Sequence, residues 1–303
     1  MIGLPPIRSW LYAPGNSEKL LERVFAAGAD AVILDLEDSV PLAEKTRARS
    51  MVAEAVRRRA TGGRTALIVR MNSVASGLAE DDLRAVVGPG LAGLRLPKVE
   101  QPEEVQRIAA ALLCAEQEAG LAAGSIALVC GIESAAGVEA AVDIARADSR
   151  VTTLAFGAAD FAADIGAEVG PEQFETLYAR SRLVFACRIA GLGPPVESVY
   201  VRLDDDEGLE RSTRAARALG FFGRACIHPR QLPIVNAIFT PTAAEVDRAH
   251  AIVNDAKAAA DIGAGALRLA DGTFVDAPIV RRAELVLRTA ASFPPITTTE
   301  ELR

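Results

Sequence analysis

The stretch AVILDLEDSV, residues 31–40, passes from an apolar strand core straight into three acids, Asp35, Glu37 and Asp38. Side chains in a strand alternate faces, so Asp35 and Glu37 share one face while Leu34 and Leu36 take the other. A barrel of parallel strands uses such a strand well: the leucines pack under surrounding helices and the acids point into the mouth, where the chemistry is built at strand carboxyl ends. Burying several unpaired carboxylates is costly, so a cation or metal is expected beside them. The competing reading is a solvated strand-to-helix loop, because acids beside helix N-termini are common.

Working outward, the same phrase recurs. Pro14 and Gly15 follow SWLYA, Arg70 and Asn72 end ALIVRMN, Lys98 ends GLRLPK, Glu133 ends IALVCGIE, Asp160 follows TLAFG and His228 follows RACI. Strands are expected near residues 8–12, 31–36, 66–71, 93–96, 126–132, 152–156, 196–201 and 224–227, about the eight that close a barrel. Helical segments are expected between them near 17–27, 42–60, 79–87, 102–119, 134–147, 171–190 and 207–219. This alternation gives an α/β fold, a (β/α)8 TIM barrel over residues 1–240. In residues 241–303, Pro241 opens a long helix to about Ala260, a Gly-rich connector follows, and a last helix runs from about Ile279 to Ala291. This tail exceeds what closes a barrel and is read as a C-terminal helical lid.

A chain of 303 residues with 50% hydrophobic content buries a large core. Asp and Glu number 40 against 33 Lys and Arg, a net charge of -7 with scattered basic residues, so nucleic acid is not an expected partner. The four cysteines, Cys114, Cys130, Cys187 and Cys226, lack metal-finger or C-x-x-C spacing and suit a reduced compartment. With neither an export signal nor a membrane-length apolar run, a soluble cytoplasmic protein is expected.

Strand parity puts Arg70 and Asn72 on one face, where a guanidinium grips a carboxylate or a developing oxyanion with two parallel hydrogen bonds; the alternative is that Arg70 merely pairs with Glu37 or Asp38. Glu133 and Asp160 fall on neighbouring strands. Two carboxylates without a His or Cys cluster suit a hard, hydrated cation, Mg²⁺ or Mn²⁺, with Glu37 and Asp38 touching it through bound waters. The competing reading is a pair of helix-capping acids. Only His228 and His250 are present, which leaves little material for a zinc triad or a Ser-His-Asp relay. There is no P-loop and no strand-to-helix G-x-G-x-x-G, so nucleotide hydrolysis and Rossmann-type hydride transfer fall away.

The motifs YAPGNSEK, LDLEDSV, VRMNSVASGLAEDDL, LPKVE, GIES, FGAADF and IHPRQ, in this order between about Arg8 and Ala290, resemble the HpcH/HpaI aldolase and citrate lyase β-subunit superfamily. The chain is most similar to its citramalyl-CoA and malyl-CoA lyases. The resemblance implies a Mg²⁺-dependent barrel, a homotrimer, acting on acyl-CoA and 2-keto acids: a carbon-carbon lyase splitting (3S)-citramalyl-CoA into acetyl-CoA and pyruvate. Malyl-CoA lyase, malyl-CoA thioesterase and a citrate lyase β-type subunit using a carrier-bound thioester are the alternatives. It implies Glu133 and Asp160 as metal ligands and Arg70 as the substrate arginine. Substrate or CoA contacts are implied for Tyr12, Lys19, Arg23, Glu37, Asp38, Lys98, Ile227 and His228. Lys19 and Arg23, at i and i+4, present two cations on one helix face. Asp276, in the tail segment DGTFVDAP, would be the acid-base residue that a lid brings to a neighbouring subunit. Some positions depart from the pattern: Arg23 and Arg224 replace lysine, TFVD replaces MID in the tail, and Glu197 replaces aspartate, which by this reading adds a methylene near the barrel mouth.

Overall fold

A computed structural model describes residues 3–59, 63, 65–170, 172–261, 267–268 and 274–294. Its first unit, Met1–Val235, alternates strands and helices. The order is β1 (Ser9–Pro14), α1 (Glu18–Arg23), β2 (Ala31–Asp35), α2 (Lys45–Arg58), β3 (Ala66–Arg70), α3 (Ala79–Val86), β4 (Gly93–Leu96), α4 (Pro102–Glu118), β5 (Ala127–Ile132), α5 (Ala135–Glu139) and α6 (Ala141–Arg146). It continues through β6 (Val151–Phe156), α7 (Ala158–Ile165), α8 (Leu177–Ala190), α9 (Asp206–Leu219) and β7 (Arg224–Cys226) into α10 (Leu232–Phe239).

Every pairing in this sheet is parallel, in the order β6-β5-β4-β3-β2-β1-β7. Two isolated parallel bridges, Ala155↔Val196 and Glu197↔Arg224, join the outer strands and close the ring. The eighth strand is therefore two residues long, where 196–201 was expected. Pro194 and Pro195 have no N–H to donate, so pairing begins at Val196. It ends at once because the Glu197 carboxylate accepts the Ser198 N–H at 2.7 Å and turns the backbone out of the ladder. Trp10, Ala31, Ile33, Ile68, Val129, Ala155 and Val196 form the apolar plug inside the ring, the layered filling that makes such a barrel a packed core.

Three further differences from the sequence reading have local causes. The expected helix at 134–147 is broken at Ala140 into α5 and α6. The helix expected to begin at 171 begins at Leu177. Between β6 and α8 lies α7, which was not expected: Gly157 precedes its first turn and Gly166, at φ +67, stops it. Asp160 consequently stands on the first turn of a helix.

Glu197 also lies elsewhere than the barrel mouth. It shares a register position with Arg224 and, through Arg224, with Ser9, on the face opposite Trp10. Its Oε2 accepts from Arg180 Nε and Nη2 of α8 at 3.0 and 2.6 Å, and the neighbouring Arg224 donates to Ser212 of α9 at 2.8 Å. Glu197 thus ties strand to helix behind the barrel wall and does not shape an acyl pocket.

The second unit, Asn236–Arg303, holds α11 (Ala243–Asp261), the antiparallel pair β8 (Leu267–Arg268) and β9 (Phe274–Val275), and α12 (Ala277–Ser292). Ala249, Ile252, Val275 and Ala283 form its small core. Among the described residues no helix is long and apolar enough to cross a membrane.

Because Glu197 and Arg180 are each 4% exposed, removing one partner strands the other charge in the wall. Glu197→Ala should lower unfolding stability by about 3–5 kcal/mol, measured by urea denaturation. A change below about 1 kcal/mol would contradict a structural role for the pair.

Candidate active site

Parallel register sets the site's floor. Asp35 pairs with Arg70 across β2 and β3, and Arg70 with Arg95 across β3 and β4, so the three side chains occupy one tier at the carboxyl ends of adjacent strands. Arg70 grips Asp35 with two bonds of 2.7 Å, from Nε to Oδ1 and from Nη2 to Oδ2. Its Nη1 lies 2.8 Å from Glu37 and 3.3 Å from Asp38. Ser39 donates to Asp35 through N–H and hydroxyl, and the Glu37 N–H does the same. Burial raises the Asp35 pKa, but the Arg70 bonds and charge outweigh it and hold this carboxyl below its usual range.

Lys98 spans the opening. Its Nζ lies 2.9 Å from Glu37, 3.1 Å from Asp38 and 3.6 Å from Asp160. Its backbone has φ +51, a left-handed conformation costly for a side-chain-bearing residue and concentrated at functional sites. Arg70 and Lys98 together serve four carboxylates, Asp35, Glu37, Asp38 and Asp160, so negative charge is in excess. Burial pushes the Glu37 carboxyl up to about 7 against the pull of Arg70 and Lys98, with the charges of Asp38 and Glu133 adding to the rise.

Glu133, the residue after β5, is 4% exposed, and its Oε2 has no hydrogen-bond partner. Burial raises its pKa, Arg95, Arg70 and Lys98 oppose the rise, and Asp160 adds to it. Two glycines make room for it. A Cβ on Gly131 would stand 2.6 Å from Glu133 Oε1, and one on Gly157 would stand 2.6 Å from its Cγ. A buried carboxylate oxygen held without a donor, in a cradle any other residue would fill, together with the half-exposed Asp160, fits the binding of a hard cation. Among the described residues no group of three or more His, Cys, Asp or Glu could hold a metal ion.

The remaining expected residues are spread more widely. Tyr12 of β1 lies beneath two guanidinium groups, with Arg70 Cζ at 5.0 Å and Arg95 Cζ at 5.6 Å from its ring centre. Burial raises its phenol pKa, with Arg95 and Arg70 pulling the other way. Lys19 and Arg23 are exposed on α1, and Ile227 and His228 are exposed just after β7. His228 Nδ1 accepts the Arg230 N–H at 3.2 Å, so its neutral ring carries the proton on Nε2. Asn72, expected beside Arg70, is drawn away, donating to Asp82 of α3 at 2.6 Å, while Asp82 pairs with Arg49. Asp276 belongs to the second unit, where it caps α12 by accepting the Ile279 N–H at 3.3 Å.

The profile of the HpcH/HpaI aldolase/citrate lyase family matches residues 8–229, the whole strand-and-helix ring. The chain belongs to that family. A relative in it is the citrate lyase subunit beta of Escherichia coli K12, 38% identical over 93% of each chain. Another is the mitochondrial citramalyl-CoA lyase of Homo sapiens, 32% identical over 95% of this chain and 86% of that one. The crystal structure of the family protein CitE from Mycobacterium tuberculosis, in complex with magnesium, acetoacetate and coenzyme A, superposes with a TM-score of 0.75 at 27% identity. The match covers 96% of this chain and all of that one.

Sequence reasoning did not give a role to Arg95 or to the glycines around Glu133. The signal for Arg95 was present, since an arginine in the apolar strand GLRL has the inward parity of Arg70 one strand away. Nothing in the sequence marks Gly131 or Gly157, because their purpose is the space a neighbour occupies.

The raised Glu37 pKa has a stability consequence in metal-free protein. Between the ordinary value of 4.5 and about 7, the folded chain holds a proton that the unfolded chain releases, so stability falls as pH rises through that window. Glu37→Gln should remove this fall. A midpoint-versus-pH curve that keeps its slope between pH 4.5 and 7 in the variant would contradict the assignment.

Proposed function

We propose that the protein is a Mg²⁺-dependent carbon-carbon lyase cleaving a 3-hydroxyacyl-CoA, with (3S)-citramalyl-CoA, split into acetyl-CoA and pyruvate, as its preferred substrate. The observation that carries the reading is Glu133, buried, cradled by two glycines and left with a donorless oxygen beside Asp160. The relatives named as lyases and the magnesium-, acetoacetate- and CoA-bound CitE support it.

Glu133 and Asp160 would hold Mg²⁺, or Mn²⁺ in its place, leaving the other positions to water and substrate. When bound, the ion supplies Lewis-acid polarisation of the oxygen that becomes the oxo-acid carbonyl. Glu37 and Asp38, which pair with Arg70 and Lys98, would hold waters around it. In the reaction the substrate hydroxyl gives up its proton, the carbon-carbon bond breaks, and the acetyl carbon left with the electron pair takes up a proton. Arg70 contributes fixed positive charge at the acyl end. Asp35 holds two of its nitrogens, and Nη1 is the donor that a substrate oxygen would share. Lys19 and Arg23 are exposed cations available to CoA phosphates, and Tyr12, Ile227, His228 and Lys98 would line the path to them.

Asp276 would return the proton to the acetyl carbon as part of a lid over a neighbouring subunit's site. Water exclusion there protects the carbanion-like centre and strengthens each charge around it. Malyl-CoA differs from citramalyl-CoA by one methyl, a discrimination worth only about 1–3 kcal/mol in an apolar pocket. A second reading, a β-type subunit acting on a carrier-bound acyl thioester, is favoured by the 38% identity to a citrate lyase subunit beta.

Purified chain with Mg²⁺ and citramalyl-CoA, analysed by mass spectrometry, should release pyruvate and acetyl-CoA. Citramalate with free CoA would indicate a thioesterase, and turnover only after adding an acyl carrier would indicate the subunit reading. Asp160→Asn and Gly157→Ala should each weaken Mn²⁺ affinity about 10- to 100-fold, read by electron paramagnetic resonance, with circular dichroism unchanged; wild-type affinity in both would remove the metal assignment. Asp276→Asn should slow turnover about 10²- to 10⁴-fold with an unchanged melting temperature, because asparagine caps a helix as well as aspartate does. Full turnover in that variant would exclude Asp276 from proton transfer.

A further inference from the structure

Arg95 of β4 is the charged side chain in the barrel interior for which the proposed reaction has no use. It is 4% exposed and stands on the tier of Asp35 and Arg70. Its guanidinium lies over the same Tyr12 ring that Arg70 covers, 5.6 Å from the ring centre against 5.0 Å for Arg70. The two arginines share one aromatic ring, but their electrostatic situations are opposite. Arg70 has committed its nitrogens: Nε and Nη2 to Asp35, Nη1 to Glu37 and Asp38. Arg95 has a buried Nε with no hydrogen-bond partner, and among the described residues it forms no ion pair.

A buried guanidinium without a counter-ion is costly, and the planar fork of an arginine matches a carboxylate through two parallel bonds. Glu133 feels the charge of Arg95 more than that of any other cation, yet among the described residues the two form no ion pair. Both side chains belong to neighbouring strands on the barrel's inner side, Arg95 on β4 and Glu133 just after β5. Arg70 is the less available of the two arginines to a newcomer, since binding through its fork would require Asp35 to let go.

We propose that Arg95 binds a carboxylate of the oxo-acid half of the substrate. It fixes the acid's orientation from below while the opposite end meets the carboxylate cluster at the mouth. This rests on the reading that an oxo acid occupies the barrel. A different purpose for the same side chain would be charge support for Glu133, and the two make separable demands.

The experiment compares wild type, Arg95→Met and Arg95→Lys, each checked for folding by circular dichroism and thermal melting. Mn²⁺ affinity is read by electron paramagnetic resonance without oxo acid, and pyruvate and oxaloacetate affinities by calorimetry at saturating Mn²⁺. Arg95→Met should bind Mn²⁺ like wild type but bind the acids about 10- to 100-fold more weakly, the loss expected for hydrogen bonds to a charged group. Arg95→Lys should recover part of this loss, since it restores charge without the fork. A loss for oxaloacetate alone would assign Arg95 to its second carboxylate, and a loss for both would assign it to the carboxylate they share. Unchanged acid affinity in Arg95→Met overturns the proposal, as does an effect confined to Mn²⁺ affinity, or a wild type that binds neither acid. Arg95-dependent acid binding in a chain that fails to cleave citramalyl-CoA would uphold the Arg95 site and sink the lyase reading. Cleavage with unaltered acid binding in Arg95→Met would do the reverse.

Discussion

The two 2.7 Å bonds between Arg70 and Asp35 organise the mouth of this barrel. They join β2 to β3 at the level where the strands stop being core and start being site. A carboxylate that is 1% exposed is tolerable only with such a partner. Once Arg70 is pinned, its third nitrogen fixes Glu37 and Asp38, Lys98 closes over both, and Asp160 is drawn toward the same ammonium. Charges fixed in advance stabilise developing charge without reorganising during a reaction. This one pair therefore preorganises most of the polar surface around it.

Stability is given up nearby to keep that surface usable. Lys98 sits in a left-handed conformation, Glu133 keeps an oxygen without a donor, and Arg95 is buried without an ion-pair partner. Each is a feature that a barrel selected only for stability would avoid. They lie at one end of the strands, where Glu133 feels the charges of Asp160, Arg95, Arg70 and Lys98. Behind the wall, Glu197 pairs with Arg180 at 2.6 Å and Glu116 with Arg150 at 2.7 Å, while the buried Arg224 donates to Ser212 and keeps an Nε without a partner.

Closure by only two residues, Val196 and Glu197, shows how little hydrogen bonding a parallel ring needs at its seam. The seam is reinforced from outside. Glu197 holds Arg180 of α8, and Ser198 accepts the Ala158 N–H at the start of α7. The seam therefore anchors two helices: Glu197 holds α8, and Ser198, the next residue, holds the start of α7, which carries Asp160.

The sequence by itself determined the parallel ring and the inward face of most strands. A period of two in AVILDLED and ALIVR puts the leucines on one face and the acids on the other, and the recurrence of polar residues after apolar runs made Asp35, Glu37, Asp38, Arg70, Lys98 and Glu133 legible. The tertiary structure alone decided the partners: that Arg70 chooses Asp35, that Asn72 turns to Asp82, and that Glu197 faces a helix. It also decided that Gly131 and Gly157 exist for the side chain of Glu133, and that Arg95 is left unpaired. Which face a residue takes follows from the local periodicity of the chain. Which atoms it meets there depends on register and on residues tens of positions away, and that information appears only when the strands are laid side by side.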